Sequence, residues 1–157
     1  MSTTIEKFGR LLPHSGEQIF DLVADVERYP EFLPGWISAR ILRREGNVCD
    51  VEQVLGFGPV RLPFISRAVL HRPDRIDIGS DDAHFRHYSQ SMLVWVQPAG
   101  GTRLSIVARL ELRSALLQPI ASRMLPGSIE QSIAAFEARA DHLYAPAGGA
   151  PAPRAPL

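Results

Sequence analysis

Six strand-like segments follow one another between residues 36 and 112, and this series limits the possible folds more than any other feature of the chain. Turn-forming pairs separate the segments, among them Gly46-Asn47, Gly58-Pro59 and Gly100-Gly101. The pattern therefore predicts a sheet built from consecutive strands at residues 36–44, 48–57, 60–71, 75–79, 85–96 and 102–112.

The last of these segments indicates how the sheet is oriented. Arg103 and Glu111 lie on one face, together with Ser105 and Arg109. The opposite face is entirely apolar and consists of Leu104, Ile106, Ala108, Leu110 and Leu112. One covered face and one solvated face are typical of an antiparallel sheet.

A strand and a short helix precede this series. Residues 3–12 are predicted to form the strand. Ser15 and Gln18 then match a capping box, in which each side chain binds a free backbone amide at the start of a helix. Apolar residues at helical spacing up to Val26 predict an amphipathic helix.

The loop at residues 29–36 is unusually apolar for a loop. Pro30 and Pro34 are predicted to exclude a helix from it. Phe32, Leu33 and Trp36 are interpreted either as a lid or membrane-touching rim at a cavity entrance, or as a plug that closes one end of the sheet.

The C-terminal part is predicted to be helical. Residues 115–125 are apolar and helix-prone, and Pro126-Gly127 is predicted to end this helix. Ser128 and Gln131 offer a second capping box. A continuous apolar stripe at helical spacing follows, formed by Ile129, Ile133, Phe136, Ala140 and Leu143.

This order of elements predicts an α+β, helix-grip fold. A curved antiparallel sheet of six to seven strands would wrap around the long C-terminal helix, with a short helical segment after the first strand. Residues 1–144 are expected to form one ligand-binding domain. Residues 145–157 are rich in Ala, Pro and Gly and are predicted to be a disordered tail.

Composition narrows the function. Apolar residues make up 45% of the chain and charged residues 22%, values typical of a globular domain. Lys+Arg and Asp+Glu both number 17, and this lack of basic surplus argues against DNA as a partner. Cys49 is the only cysteine, which favours a reducing compartment. No signal peptide or spanning segment is recognised, so a cytoplasmic location is expected, with peripheral contact at the inner face of the membrane.

The segment at residues 17–34, EQIFDLVADVERYPEFLP, resembles the opening of the coenzyme Q-binding protein family. That family belongs to the START-like, polyketide cyclase/dehydrase superfamily and includes RatA-type toxins. The stretch LRSALL at residues 112–117 and FEARA at 136–140 are similar to the family's last strand and C-terminal helix. The resemblance implies a START-like fold that holds an isoprenoid quinone or lipid. Its RatA-type members imply ribosome binding as an alternative.

A sheet that curls around one helix is expected to leave a cavity, and ligand sites are concave and mostly apolar. A solid core without a cavity is the alternative that the sequence leaves open. The polar candidates inside the cavity are Gln53, Ser66 and Gln90. The candidate wall residues are Leu55, Phe57, Phe64, Met92, Ile106, Ala108, Leu110, Leu117, Ile120, Met124, Ile133 and Phe136.

Catalytic and metal sites are not favoured. His84 and His87 are three residues apart, a spacing that places strand residues on opposite faces. Cys49 has no catalytic signature beside it. We therefore expect no metal, no required cofactor and no catalytic residue. A pocket enzyme of the cyclase/aromatase type remains a further alternative, because such enzymes share the fold.

The arginines of the predicted sheet bear on the ribosome alternative. Asp50, Glu52, Asp74 and Asp77 interleave with them, so a neutralised, solvated surface is favoured over a basic face. Ribosome binding would need these arginines on one side: Arg40, Arg43, Arg44, Arg61, Arg67, Arg72 and Arg75. The favoured interpretation is non-enzymatic binding of an isoprenoid quinone or lipid for respiration or quinone biosynthesis.

Overall fold

The computed structural model describes residues 3–144, and the predicted tail at 145–157 lies outside this range. The elements are β1 (Thr3–Phe8), α1 (Gly16–Ala24), a 3-10 helix (Val26–Glu31), β2 (Trp36–Glu45), β3 (Val48–Phe57), β4 (Val60–His71), β5 (Arg75–Gly79), β6 (Phe85–Val96), β7 (Thr102–Leu112) and α2 (Gln118–Leu143). The seven strands form one antiparallel sheet in the order β1-β7-β6-β5-β4-β3-β2. The predicted α+β, helix-grip fold is confirmed.

The first strand is shorter than predicted. β1 pairs with β7 from Thr3 to Phe8, after which the regular ladder stops. Leu12 makes a separate bridge to Thr102, with a hydrogen bond in each direction between the two backbones. The chain then enters α1 through the predicted capping box, in which Ser15 and Gln18 bind each other's backbone amides.

The prediction that Pro30 excludes helix was wrong. The 3-10 helix includes Pro30 near its end, where the ring takes the place of one donor only. The amides of Phe32 and Leu33 both bind the carbonyl of Tyr29, so the last turn closes without an amide from Pro30.

The predicted helix break at Pro126-Gly127 was also wrong. α2 runs without interruption through Pro126, so Ser128 and Gln131 lie inside the helix rather than at its start. A proline removes one backbone hydrogen bond from a helix, whereas buried side chains on both sides of the proline stabilise the helix. Ala121 before the proline and Ile129 after it are both buried, and this packing holds the helix together.

The main core lies between the concave face of the sheet, α1 and the second half of α2. Its largest fully buried side chains include Phe20, Leu12, Ile19, Met92 and Ile106. A smaller cluster packs under the start of α2 and consists of Leu62, Phe64, Phe85, Leu112 and Ala121. Between these two clusters the sheet and α2 do not meet completely.

Candidate functional site: a cavity in two chambers

A cavity of about 110 Å³ lies between the concave face of the sheet and α2, whose residues from Ala121 to Phe136 contribute to its wall. Its wall is almost entirely apolar. Met92, Ile106 and Ala108 form the floor from the sheet side, while Met124 and Phe136 approach from α2. Protein interiors are normally packed to the density of organic crystals, so a gap of this size is a feature that the fold maintains at a cost in stability.

A second chamber of about 40 Å³ lies deeper, toward the end of α1. Its wall includes Cys49, Val51 and Ala68 from the sheet and Val23 from α1. Five side chains line both chambers and form the partition between them: Tyr29, Trp36, Tyr88, Gln90 and Met92. The site is therefore one cavity divided by a single layer of side chains.

The smaller chamber contains a chain of hydrogen bonds between neutral groups. Gln53 Nε2 donates to Ser66 Oγ at 2.7 Å, and both side chains are buried. Trp36 Nε1 donates to Gln53 Oε1 at 3.4 Å. In the partition, the Tyr88 hydroxyl donates to Gln90 Oε1 at 3.1 Å.

The two tyrosines of the partition are protonated at neutral pH. Burial raises the pKa of Tyr29, and the neighbouring Tyr88 and Asp25 raise it further. Burial also raises the pKa of Tyr88. The Tyr29 hydroxyl is fixed by donation to the carbonyl of Val23. These hydroxyls therefore act as hydrogen-bond donors and not as bases.

The mouth of the larger chamber lies between the loop before β2, the β3–β4 hairpin and the first half of α2. Pro34, Gly35 and Met124 are exposed at the mouth, and Phe57 is half-buried beside them. The loop is fixed from below by aromatic contacts, since the Tyr29 ring lies 5.4 Å from Trp36 and 5.4 Å from Phe136, edge to face in both cases.

Most of the wall residues predicted from the sequence line the larger chamber: Leu55, Phe57, Met92, Ile106, Ala108, Leu110, Met124 and Phe136. Leu33 and Trp36 of the entrance loop line it too. Gln53 and Ser66 line the smaller chamber, and Gln90 lines both.

Four predicted wall residues lie elsewhere. Phe64 turns toward Phe85, whose ring lies 5.0 Å away and perpendicular to it. Ile133 is buried in the main core, and Leu117 packs on the smaller cluster. Ile120 is half-buried outside both chambers, because its direction on α2 differs from that of Ala121 and Met124.

Phe32 of the entrance loop does not line the cavity either. Its ring packs edge to face on Phe136 at 5.6 Å, and the Arg139 guanidinium lies 5.1 Å from its centre. Arg139 also forms an ion pair with Glu31 at 3.2 Å. Phe32 therefore joins the loop to α2.

The sequence did not identify several wall residues. Tyr29 and Tyr88 were missed although both are large and lie in apolar surroundings. Leu62 shares the inward parity of Phe64 and Ser66, which was the available signal, whereas Phe85 has the opposite parity to Met92 and is turned inward by a register shift between Phe85 and His87. The wall positions on α2 that were missed are Ala121, Leu125, Ser128, Ile129 and Ser132.

The arginines of the sheet are interleaved with acidic partners, as predicted. Arg67 binds Asp50 at 2.9 Å and Arg40 binds Glu52 at 3.0 Å. Arg72 pairs with Asp21 at 2.7 Å. Within residues 3–144, no three or more His, Cys, Asp or Glu side chains are grouped so that they could hold a metal ion.

A family model described as polyketide cyclase/dehydrase and lipid transport matches residues 12–137, which is most of the chain. The chain belongs to this family. The resemblance seen in the sequence is thereby confirmed at the level of the family. The matched range runs from the start of α1 through the buried second half of α2, and so includes both chambers.

Two relatives within this family have different names. A "Ribosome association toxin RatA" of Pseudomonas aeruginosa is 27% identical over 147 residues, covering 92% of this chain and 99% of the relative. A "Coenzyme Q-binding protein COQ10 homolog B, mitochondrial" of Xenopus laevis is 28% identical over 142 residues, covering 86% of this chain and 57% of the relative.

The fold is similar to a solved START superfamily protein from Mycobacterium smegmatis, with a TM-score of 0.73 and 20% identity over 92% of this chain and 98% of that one. This similarity supports the START-like fold of this chain. No helix in the described part of the chain is long and apolar enough to cross a membrane.

Proposed function

We propose that this chain binds an uncharged apolar molecule, an isoprenoid quinone or a similar lipid, and carries it without changing it chemically. The observation that supports this proposal is the cavity, which is about 110 Å³ in its larger chamber and is lined by apolar side chains. Burial of apolar surface is worth roughly 25 cal/mol per Å², so such a wall can hold an isoprenoid chain without any charged contact.

The comparisons support the same class of ligand. The family description includes lipid transport, and the Xenopus relative is named for coenzyme Q binding. Met92 and Met124 lie on opposite sides of the larger chamber, and their unbranched side chains can follow a flexible chain. The proposed role needs no cofactor, because the quinone or lipid is cargo.

The wall favours binding over catalysis. Among the described residues that line the two chambers there is no Asp, Glu, His or Lys, and Arg109 is the one charged residue. A cyclase or dehydratase needs a group that takes up a proton near neutral pH. Tyr29 and Tyr88, with raised pKa values, do not supply one.

The mouth is suited to loading from an anionic membrane. The three segments around it, residues 32–44, 53–64 and 112–129, contain no Asp or Glu. Arg113 and Arg123 lie on the last segment, where Leu116 is 81% exposed and Met124 37% exposed. Apolar groups flanked by arginine favour peripheral contact with anionic lipid. We propose a cytoplasmic location with peripheral contact at the inner face of the membrane.

The ligand can be identified by mass spectrometry of an organic extract of the purified protein. We expect a quinone or lipid from the native chain. Ala108→Trp, which fills the floor of the larger chamber, should remove the ligand while the protein stays folded. Ala138→Trp on the exposed face of α2 is the matched control and should retain it. Equal retention by both variants would show that the cavity is not the binding site.

Ribosome association is the second candidate, because the Pseudomonas relative named for it matches along 99% of its length. The paired arginines of the sheet weigh against it, since Arg40, Arg67 and Arg72 each have an acidic partner. Co-sedimentation with ribosomal subunits at low and physiological salt tests this alternative. Binding that survives Ala108→Trp would separate it from ligand carriage.

A further inference from the structure

We propose that the smaller chamber binds the head group of the ligand, and that Gln53 and Ser66 donate hydrogen bonds to a carbonyl oxygen on it. The larger chamber would then hold the apolar chain. This inference rests on the proposed function and specifies it, since it names the end of the ligand that each chamber receives and the oxidised, carbonyl-bearing class of ring that the site prefers.

The first argument comes from charge. The residues that line the smaller chamber, within the described chain, include no Asp, Glu, Lys, Arg or His. A phosphate or carboxylate buried there would lose its hydration without gaining a counter-ion, which is costly by several kcal/mol or more. An uncharged head group with polar atoms is therefore favoured over a phospholipid or a fatty acid.

The second argument comes from the direction of the hydrogen bonds. Each amide or serine oxygen of the chamber already receives one protein donor, which leaves one lone pair on each: Gln53 Oε1 from Trp36, Ser66 Oγ from Gln53, and Gln90 Oε1 from Tyr88. An amide nitrogen carries two hydrogens, and Gln53 uses one of them for Ser66. The second hydrogen of Gln53 and the hydroxyl hydrogen of Ser66 remain for a ligand.

A quinone carbonyl fits such a donor pair, because it accepts hydrogen bonds and donates none. The corresponding quinol also carries hydroxyl hydrogens, and each of them needs an acceptor oxygen that already receives one protein hydrogen bond. Gln53 and Ser66 are 4% and 3% exposed, so a ligand atom that reaches them is shielded from water. Hydrogen bonds in such surroundings discriminate strongly between acceptors and donors.

Passage from the larger chamber requires movement of the partition. At about 40 Å³ the smaller chamber is too small for a substituted ring unless a side chain withdraws. Met92 is the partition residue with the most flexible side chain, and Trp36 is half-buried at its rim. Tyr29 is held by its bond to Val23 and stays in place.

The orientation can be tested with decylubiquinone, a quinone with a saturated ten-carbon chain, by nuclear Overhauser contacts to assigned methyl groups. Contacts from the ring methoxy protons to Ala68 and Ile76 would support the proposal, since both residues line the smaller chamber only. Contacts from those protons to Leu110 and Met124 would overturn it while leaving quinone carriage intact. Absence of binding would overturn carriage as well.

The donors can be tested by affinity. Ser66→Ala should weaken decylubiquinone about fivefold, the equivalent of one hydrogen bond, and leave decylbenzene, which has no acceptor, unchanged. Decylubiquinol under anaerobic conditions should bind the native protein about fivefold more weakly than the quinone. Ser105→Ala is the matched control, because Ser105 is equally buried but binds Trp95 and lines neither chamber. Equal losses for decylubiquinone and decylbenzene would overturn the donor role.

Discussion

The two halves of α2, before and after Pro126, differ in how many side chains they bury and in their charge. After Pro126, the helix buries Ile129, Ile133, Phe136 and Ala140 against the core. Before Pro126, Ala121 is the one buried residue of the helix, and Met124 and Leu125 line the cavity beside it. Both halves thus line the cavity, but the second half contributes most of the buried side chains that hold α2 against the core.

The difference extends to charge. The second half of α2 is tied to the N-terminal part of the chain by ion pairs, such as Lys7–Glu130 at 2.7 Å, Arg10–Asp141 at 2.5 Å and Arg139–Glu31 at 3.2 Å. The first half has no acidic residue at all. The ion pairs and most of the buried side chains of α2 therefore lie in its second half, so variants in the two halves should have different effects on stability.

Phe136→Ala should have the largest effect on stability. Phe136 is 3% exposed and packs against the rings of Tyr29 and Phe32. We expect the free energy of unfolding to fall by about 3 kcal/mol, the lower part of the usual range, because one side of the ring already faces a cavity. Urea denaturation measures this. Met124→Ala is the comparison in the other half and should cost less than about 1 kcal/mol.

Arg123→Glu should affect membrane contact and not folding. Reversal of this charge beside the mouth should weaken binding to vesicles containing phosphatidylglycerol by about tenfold at low salt. Arg75→Glu makes the same charge change at an exposed site on β5 and should leave vesicle binding unchanged. Equal losses for the two variants would mean that net charge, and not the mouth, determines membrane contact.

Asp141→Asn should make the second half of α2 less sensitive to acid. Burial opposes ionisation of Asp141, but hydrogen bonds from His14 and Arg10 outweigh it and lower its pKa. The stabilisation from the carboxylate is complete above about pH 4 and is lost as the pH falls toward the lowered pKa of the folded state.

The measurement is urea denaturation at pH 5 and pH 3. Because the Asp141 side chain is 44% exposed, we expect the native chain to lose only about 1 kcal/mol more than Asp141→Asn between these two values. An identical loss in both proteins would show that this carboxylate does not couple folding to pH.

Pro126→Ala, at the boundary between the two halves of α2, should have the smallest effect on the free energy of unfolding. The substitution restores an amide donor and removes the ring from the helix interior, but it also raises the conformational entropy of the unfolded chain. We expect a net gain of about 0.5 kcal/mol in the free energy of unfolding by urea denaturation. A loss above 1 kcal/mol would indicate that α2 needs the proline for its packing.

The sheet could be predicted almost completely from the sequence, and the helix could not. Glycines at residues 46, 58, 100 and 101 lie in turns that bound β3 on both sides and β7 at its start, and the limits of both strands are those predicted. The helix break predicted at Pro126 was wrong because helix propensity is a local property, whereas the burial of Ile129 depends on tertiary packing.

The alternation of residues along a strand does not predict which inward side chains line the cavity. Leu62 and Phe64 have the same parity on β4, yet Leu62 lines the larger chamber and Phe64 turns to Phe85. Parity specifies the face of a strand, whereas the depth of a side chain along the curved sheet depends on strands far away in sequence. The division into two chambers depends on Tyr29 from the 3-10 helix and Tyr88 from β6 lining the same partition, and local sequence patterns do not predict this arrangement.

Cys49, the one thiol of the chain, lies in the wall of the smaller chamber and not at the mouth. A fluorinated methyl thiosulfonate attached there, under mild denaturant and followed by refolding, would place a single ¹⁹F nucleus at the innermost end of the cavity. Its resonance would respond to whatever occupies that end and would ignore molecules held only near Met124. The ¹⁹F resonance of labelled Cys49 would thus report how deeply each ligand enters the cavity.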